Sequence, residues 1–251
     1  MPFDFKGKKI LVTGAGRGIG RGVAITLCKS PCKVYALSRT KEPLDTLVEE
    51  YPTIVPIVAD VSNWEDTREK LEKLEVLDGL VNNAGIQAIG NAAIDWSKEI
   101  IWNLLNTNLL SAINCTQVIA KKMIAAKIKG SIVNVSSITG ISSFPKALSY
   151  TISKAGLDMV TKQFALELGP YGIRVNSVNP TLVVTPLAAH HIEAGDVFPE
   201  TITSRTPMGR IMEVQECVDS ILYLLSEHSS MVTGHLHVLD GGLLSNITVK
   251  V

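Results

Sequence analysis

The sequence of 251 residues has no charge excess of either sign and no long apolar run. Lysine plus arginine number 24, and aspartate plus glutamate also number 24. Because the formal net charge is zero, no overall field attracts nucleic acid or an anionic membrane. No run of about 18 apolar residues occurs, so the sequence predicts no transmembrane helix.

Cysteine and histidine are also scarce, and their spacing is uninformative. The four cysteines (Cys28, Cys32, Cys115 and Cys217) form no C-x-x-C pair and no metal-ligand spacing with the five histidines. The pair His190-His191 has no third ligand nearby and is assigned to a loop. We therefore expect reduced thiols and no metal site. The stretch MPFDFKGKK lacks the apolar core of a secretory signal, so we expect a cytoplasmic protein.

Short β-branched runs alternate with helical stretches along the whole chain. Strands are predicted at 8–14, 32–38, 53–60, 77–85, 130–137, 173–180 and 235–241. Helices are predicted at 19–30, 42–50, 63–75 (with Asn63 as its cap), 97–128, 149–168 and 213–227, and 181–212 is expected to be irregular. This alternation predicts βαβ units and a parallel sheet covered on both faces. Residues 1–251 are therefore expected to form one doubly wound, Rossmann-type α/β domain.

The first predicted strand leads into a glycine-rich turn, TGAGRGIG, at residues 13–20. Glycines at 14, 16, 18 and 20 allow a tight turn and a close approach of the backbone to a pyrophosphate at the next helix. The spacing G-x-x-x-G-x-G differs from the general dinucleotide fingerprint, and a glycine turn alone also fits a packing requirement. Its place between a strand and a helix favours dinucleotide binding.

Tyr150 and Lys154 stand four residues apart in a predicted helix, so their side chains share one face. An ammonium group beside a phenol favours the phenolate and lowers the tyrosine pKa from its reference of about 10. That effect suits a proton donor near neutral pH. The spacing alone favours the alternative, a surface pair of side chains that share a helix face by chance.

Three motifs together resemble those of the short-chain dehydrogenase/reductase family: T-G-x-x-x-G-x-G at 13–20, NNAG at 82–85 and Tyr150-x-x-x-Lys154. They occur in the order and spacing of the family, and the resemblance covers essentially the whole chain. It implies four catalytic residues, Asn108, Ser137, Tyr150 and Lys154. Ser137 would hold the substrate carbonyl, and Tyr150 would donate the proton. Lys154 would lower the tyrosine pKa and hold the nicotinamide ribose, and Asn108 would position a water behind the lysine.

The same resemblance implies the contacts of a nicotinamide dinucleotide. The glycine turn would supply Gly14, Arg17, Gly18, Ile19 and Gly20, and the end of the second strand would supply Ser38, Arg39 and Thr40. Asp60, Val61, Asn82, Ala84 and Gly85 would surround the adenine and its ribose. Pro180, Val183 and Thr185 would join Tyr150 and Lys154 at the nicotinamide, with Thr181 in place of the glycine of the usual N-P-G motif.

The end of the second strand, YALSRT, favours NADPH over NADH. Members of this fold that prefer NAD place an acidic residue there to bind the ribose hydroxyls. Here Ser38 occupies that position and Arg39 follows, and a guanidinium binds a 2′-phosphate through charge-assisted hydrogen bonds. Arg17 is a second basic residue near the same place. The alternative is that both arginines are solvated surface charges.

Other stretches, including IRVNSVNPT and LLSEHSSMVTG, resemble the subgroup that reduces L-xylulose to xylitol and also reduces small α-dicarbonyls. We expect a substrate pocket lined by residues near 138–148 and by a lid around 186–206. A reductase of 3-oxoacyl thioesters or steroids is an alternative, as is a non-enzymatic NADPH-binding protein. Family members usually form homotetramers, and the tail GGLLSNITVKV is a candidate interface segment.

Overall fold

A computed structural model describes residues 3–90, 92–188 and 197–246. Seven parallel strands form one sheet in the order β3-β2-β1-β4-β5-β6-β7 within these residues. The strands are β1 Lys9–Thr13, β2 Lys33–Ser38, β3 Val55–Val58, β4 Gly79–Asn82, β5 Ser131–Val135, β6 Arg174–Pro180 and β7 Leu236–Leu239. The predicted strands and the doubly wound parallel sheet are confirmed.

The helices cover both faces of the sheet. They are α1 Gly18–Cys28, α2 Glu42–Glu50, α3 Trp64–Glu72, α4 Lys98–Leu105, α5 Ser111–Ala125, α6 Leu148–Leu168, α7 Val197–Arg205 and α8 Val214–Leu225. Helices α1, α2 and α8 pack in one apolar cluster, and α3, α5 and α6 pack in a second. Because both faces are covered, the inner strands are apolar throughout, as in β4, where all four residues are buried.

The strand order reverses between β1 and β4. The chain passes from β1 outward to β2 and β3 on one side, then returns to β4 beside β1 on the other. In open parallel sheets, the loops at such a point separate and leave a crevice beyond the carboxyl ends of the strands. The glycine turn follows β1 and the NNAG motif follows β4, so both open into this crevice.

Three features differ from the sequence prediction or refine it. The helix predicted at 97–128 is interrupted by a π-helical turn, Asn106–Leu110, between α4 and α5. The stretch 181–212 is not wholly irregular, because it contains α7. The predicted cap of α3 is confirmed, since the Asn63 side chain accepts a hydrogen bond from the Asp66 amide.

Some expectations fall on residues outside the described part of the chain. These are His190, His191 and the rest of the central lid segment 189–196, together with 247–251 of the tail. Among the described residues, no group of three or more histidine, cysteine or acidic side chains is placed to hold a metal ion. None of the described helices combines the length and hydropathy that crossing a membrane requires.

Candidate active site

Two connected cavities lie at the carboxyl edge of the sheet. The first, which we call the cleft, runs past the glycine turn and the ends of β1, β2 and β4. The second, which we call the pocket, lies beside Ser137, Tyr150 and Lys154. Six residues line both: Ile19, Asn83, Gly85, Ile86, Thr185 and Leu187. An elongated molecule in the cleft therefore reaches into the pocket.

The glycine turn requires glycine at two positions, because neighbouring protein atoms leave no room for a side chain. Gly14 has a φ of +65°, and a Cβ atom on it would lie 2.8 Å from the Ala84 Cα atom. A Cβ on Gly16 would lie 2.9 Å from the Ser38 Oγ atom. The turn therefore presents bare backbone to the cleft at the N-terminus of α1, as an anion-binding turn requires.

Asn83 joins the glycine turn to the NNAG turn. Its side-chain amide donates to the carbonyls of Thr13 and Gly14 at 2.9 and 3.1 Å. The Thr13 hydroxyl in return accepts from the backbone amides of Asn83 and Ala84 at 3.0 and 3.1 Å. Our sequence prediction omitted Asn83. Its place between Asn82 and Ala84, both predicted contacts, was the available signal.

The outer end of the cleft is polar and carries two arginines. It is lined by six of the residues predicted to contact the cofactor: Arg17, Ser38, Arg39, Thr40, Asp60 and Val61. The Arg39 side chain is 67% exposed, and its guanidinium lies 3.9 Å from the Asp60 carboxylate. The Ser62 hydroxyl and amide hold the other Asp60 oxygen at 2.7 and 3.0 Å. Asp60 is thus engaged by its own turn, and Arg39 remains available to a ligand.

Ser137, Tyr150 and Lys154 line the same wall of the pocket. Ser137 lies two residues after the end of β5, and its hydroxyl accepts a hydrogen bond from the Thr139 amide at 3.1 Å. Lys154 is buried, and its ammonium donates to the Val135 carbonyl at 2.8 Å. The same ammonium lies 5.5 Å from the centre of the Tyr150 ring. The shared helix face predicted for Tyr150 and Lys154 thus turns inward to the pocket.

Asn108 lies in the π-helical turn, behind Lys154. Its side-chain amide donates to the Ile86 carbonyl and the Ser153 hydroxyl at 2.9 and 3.0 Å, and its oxygen accepts from the Ile86 amide at 2.8 Å. A Cβ on Gly85 would lie 3.3 Å from the Asn108 oxygen and 3.7 Å from the Lys154 ammonium. Asn108 and Lys154 therefore flank Gly85. Single π turns of this kind are frequent at functional sites.

Burial controls the protonation states of Tyr150 and Lys154. Burial raises the Tyr150 pKa to about 12, and a hydrogen bond with Ser137 opposes the rise. Burial also lowers the Lys154 pKa to about 8, and the charge of Asp158 opposes that fall. The predicted lowering of the Tyr150 pKa by Lys154 is therefore wrong for this structure, because desolvation of the phenolate outweighs the effect of its neighbours. At neutral pH, Tyr150 keeps its proton.

A family model described as "Enoyl-(Acyl carrier protein) reductase" matches residues 14–244, which is most of the chain. The chain belongs to the short-chain dehydrogenase/reductase family. It is 41% identical over 245 residues to the L-xylulose reductase of Mus musculus, covering 98% of this chain and 100% of that protein. It is 39% identical over 246 residues to carbonyl reductase [NADPH] 2 of Sus scrofa, covering 98% of this chain and 100% of that protein.

Solved structures of the family share the fold closely. A gluconate 5-dehydrogenase from Burkholderia cenocepacia, in complex with NADP and tartrate, superimposes with a TM-score of 0.92 at 29% sequence identity. The match covers 98% of this chain and 98% of that chain. The two chains are thus alike in sequence as well as in fold, which agrees with the family membership.

Not every predicted contact of this family member lies at a cavity wall. The Asn82 side chain points into the protein, where it donates to Thr116 and Asn134 at 3.1 and 2.9 Å, and the residue does not line the cleft. Gly20 lies beneath the turn, where a Cβ would be 2.5 Å from the Gly14 carbonyl oxygen. Pro180, Val183 and Thr185 line the pocket as expected, as does Ile19.

The far wall of the pocket is largely apolar. Ile138, Phe144, Pro145 and Ala147 come from the predicted stretch 138–148, and Leu187, Ala188 and Ile202 come from the predicted lid range. Ile138 and Ile202 are buried together with Leu243, and Phe144 and Leu182 pack against them. The pocket therefore offers a polar wall for a reacting carbonyl and an apolar wall for the rest of a substrate.

Proposed function

We propose that this protein is an NADPH-dependent carbonyl reductase that acts on L-xylulose, giving xylitol, and on small α-dicarbonyls. The observation that carries the proposal is the convergence of Ser137, Tyr150 and Lys154 on one pocket that is continuous with the glycine-turn cleft. The names of the relatives, L-xylulose reductase and carbonyl reductase [NADPH] 2, support the reaction and the cofactor.

The residues of the cleft fit NADPH. Gly14, Gly16 and Gly18 line the cleft without side chains, and the adjacent N-terminus of α1 favours a pyrophosphate. Arg17 and Arg39 line the outer end, where no carboxylate ends β2, so a 2′-phosphate meets positive charge. Asp60, Val61, Ala84 and Gly85 would hold the adenosine, and Val183 and Thr185 would hold the carboxamide. When bound, NADPH supplies the hydride.

The protein side chains of the pocket would orient the carbonyl and move the proton. The Ser137 hydroxyl would donate to the carbonyl oxygen and hold it beside Tyr150. Because burial raises the Tyr150 pKa to about 12, its phenol is protonated at neutral pH and is ready to donate to the developing alkoxide. Lys154 would hold the ribose and place positive charge near the phenolate that forms. Asn108, behind Gly85, would support a water in the path that returns the proton.

The apolar far wall bears on the choice of substrate. Ile138, Phe144, Leu182 and Ile202 offer no hydrogen bonds to sugar hydroxyls but accommodate alkyl groups. This feature favours small α-dicarbonyls within the proposed pair of substrates. It is also compatible with the 3-oxoacyl thioester and steroid alternatives.

A substrate panel with NADPH tests the proposal. We expect kcat/KM for diacetyl and for L-xylulose to exceed that for a 3-oxoacyl thioester. A higher kcat/KM for the thioester would support the alternative reductase. NADPH binding without turnover of any of the three classes, or of a steroid ketone, would support the non-enzymatic reading.

We also propose that the protein forms a homotetramer in the cytoplasm. Ile152, Met159 and Leu166, spaced seven residues apart on α6, are 38%, 62% and 73% exposed, and Trp102 of α4 is 55% exposed. Residues at this spacing share one helix face, so a second copy would cover an apolar stripe. The four cysteines are free thiols, which suits a reducing compartment. Light scattering that gives a monomeric mass at micromolar concentration would contradict the tetramer.

A further inference from the structure

Asp158 is a buried carboxylate to which the proposed reaction assigns no role. It follows Lys154 by four residues on α6 and Tyr150 by eight, so it lies on the same face of the helix. Its side chain is nearly inaccessible, with a relative exposure of 4%. A buried carboxylate is costly unless hydrogen bonds and opposite charge compensate it. The groups that bond to the Asp158 carboxylate therefore indicate its role in the structure.

The partners of Asp158 connect three elements of the active site. The Asn179 amide of β6 donates to both Asp158 oxygens, at 3.0 and 2.9 Å, and to the Ser137 carbonyl at 3.1 Å. The Ser177 hydroxyl donates to the Asn179 oxygen at 2.7 Å. Because a carboxylate only accepts hydrogen bonds, this arrangement fixes the orientation of the Asn179 amide.

The turn after Ser137 packs directly on this carboxylate. A Cβ on Gly140 would lie 2.4 Å from the Asp158 Oδ2 atom and 2.9 Å from the Lys154 carbonyl oxygen. Only a glycine lets the turn Ile138–Gly140 approach α6 this closely. The backbone at Ser137 is thus held from two directions, by the Asn179 amide and by the contact of Gly140.

The charges around Asp158 complete the arrangement. The pKa of Asp158 is raised, because burial outweighs the hydrogen bonds from Asn179 and the charges of Lys154 and Lys162, which lower it. Asp158 in turn is the acidic group whose charge raises the Lys154 pKa against burial. The Asn179 amide and the two lysines thus offset part of the cost of burying the carboxylate.

We propose that Asp158 is a positioning residue of the active site. Through Asn179 it holds Ser137 opposite Tyr150, and through its negative charge it keeps the buried Lys154 protonated. The inference rests on the proposed carbonyl reduction, since it assigns Asp158 to the residues that carry out that reaction. It predicts that loss of the carboxylate impairs turnover more than cofactor binding near neutral pH.

The variant Asp158→Asn tests both parts, with Glu167→Gln as a matched control. Glu167 is an exposed acid on the same helix, so its variant removes one charge without touching the site. We expect Asp158→Asn to lower kcat by at least about tenfold, because small misplacements of reacting groups are costly. We also expect the high-pH limb of kcat/KM for NADPH to move down by about one pH unit, because Lys154 loses its counter-charge. Glu167→Gln should change neither.

If Asp158→Asn lowers kcat but leaves the high-pH limb in place, the charge of Asp158 does not control Lys154, and the electrostatic part of the proposal is wrong. If kcat is unchanged, Asp158 does not hold Ser137 in place, and the positioning part is wrong. If Asp158→Asn does not fold, Asn179→Ala decides the positioning part, because it keeps the carboxylate and removes the amide that joins it to the Ser137 carbonyl. Its kcat must then fall, and its pH limb must stay in place. A wild-type protein inactive on every carbonyl would count against the proposed function instead, which separates the two failures.

Discussion

Among the pocket-lining residues that the structure describes, Lys154 is the sole charged side chain. Its ammonium donates to the Val135 carbonyl and faces the Tyr150 ring, yet burial lowers its pKa to about 8. The pKa of Tyr150 moves the opposite way, to about 12. Both shifts follow from desolvation, which always disfavours the charged form. At neutral pH the pair is therefore a cation beside a protonated phenol.

This pair predicts a pH limb near 8 in the free enzyme. Below pH 8 Lys154 carries a proton and can hold the ribose, and above it the charge is lost. We therefore expect kcat/KM for NADPH to fall as the pH rises through about 8. In Lys154→Arg the cation persists, because a guanidinium does not titrate in this range, so the limb should disappear even if activity is low. A wild-type profile that stays level from pH 7 to pH 9.5 would contradict the shift.

At the scale of elements, the strands could be predicted from the sequence and the tertiary contacts of the turns could not. β-branched runs such as KILVT of β1 carry a local signal that survives in the structure. The π turn in the helix predicted at 97–128 has no comparable local signal, since Asn108 bonds to Ile86, 22 residues away. Asn83 was missed because its partners lie about 70 residues earlier in the chain.

The same reason explains the error at Tyr150. Spacing reveals which side chains share a helix face, but not how deeply that face is buried. The prediction that the Tyr150 pKa is lowered took only Lys154 into account. In the structure, desolvation of the phenol makes the larger contribution and raises the pKa. The grouping of Ser137, Tyr150 and Lys154 was predictable from the family resemblance, whereas the roles of Asp158 and Asn179 depend on contacts between elements.

The glycine turn gives a test of packing at this scale. In Gly20→Ala the new methyl group would lie 2.4 Å from the Asn83 Nδ2 atom and 2.5 Å from the Gly14 carbonyl oxygen. Helix propensity favours alanine by about 1 kcal/mol, but overpacking against backbone costs about 1–3 kcal/mol. We expect a net loss of up to about 2 kcal/mol and a Tm lower by up to about 8 °C.

The control for this change is Gly169→Ala, whose methyl group would meet nothing within 4 Å. Thermal unfolding followed by calorimetry should show an unchanged or slightly higher Tm for this control. A Gly20→Ala protein as stable as the control would mean that the two turns move apart without cost.

Substitutions at the end of β2 test the proposed preference for NADPH over NADH. Replacing Ser38 by Asp and Arg39 by Ser removes one cation and adds a carboxylate where the 2′-phosphate would bind. Each charge-assisted hydrogen bond is worth roughly 1.5–3 kcal/mol, so two of them correspond to a preference of about 10²–10⁴ for NADPH. The double variant should prefer NADH when kcat/KM is measured for both cofactors.

Lys41→Ser is a suitable control for the double variant. Lys41 lies two residues from Arg39 but forms an ion pair with Asp45 at the surface and does not line the cleft. It should keep the NADPH preference of the wild type. A wild-type protein that uses NADH as well as NADPH would contradict the role of Arg39.

At the scale of the whole molecule, the sheet joins a polar cleft to a pocket with one apolar wall. In the proposed reaction, a substrate in the pocket would place its carbonyl against Ser137 and Tyr150 and its remaining atoms against Phe144 and its neighbours. Each buried methylene contributes about 0.8 kcal/mol, or about fourfold in kcat/KM. We therefore expect kcat/KM to rise from diacetyl to the homologue with one more methylene group. A fall along this series would contradict the apolar wall.

The measurement that tests the central claim most directly is NADPH oxidation by wild type and Tyr150→Phe with diacetyl as the substrate, alongside NADPH binding by fluorescence. Removing the phenolic proton should lower kcat by at least about 10²-fold, the usual contribution of general acid catalysis. NADPH affinity and Tm should remain near those of wild type, as should all properties of the control Tyr171→Phe, an exposed tyrosine outside both cavities. A Tyr150→Phe protein that keeps more than about a tenth of the wild-type kcat would contradict the proton donor and the proposed reaction.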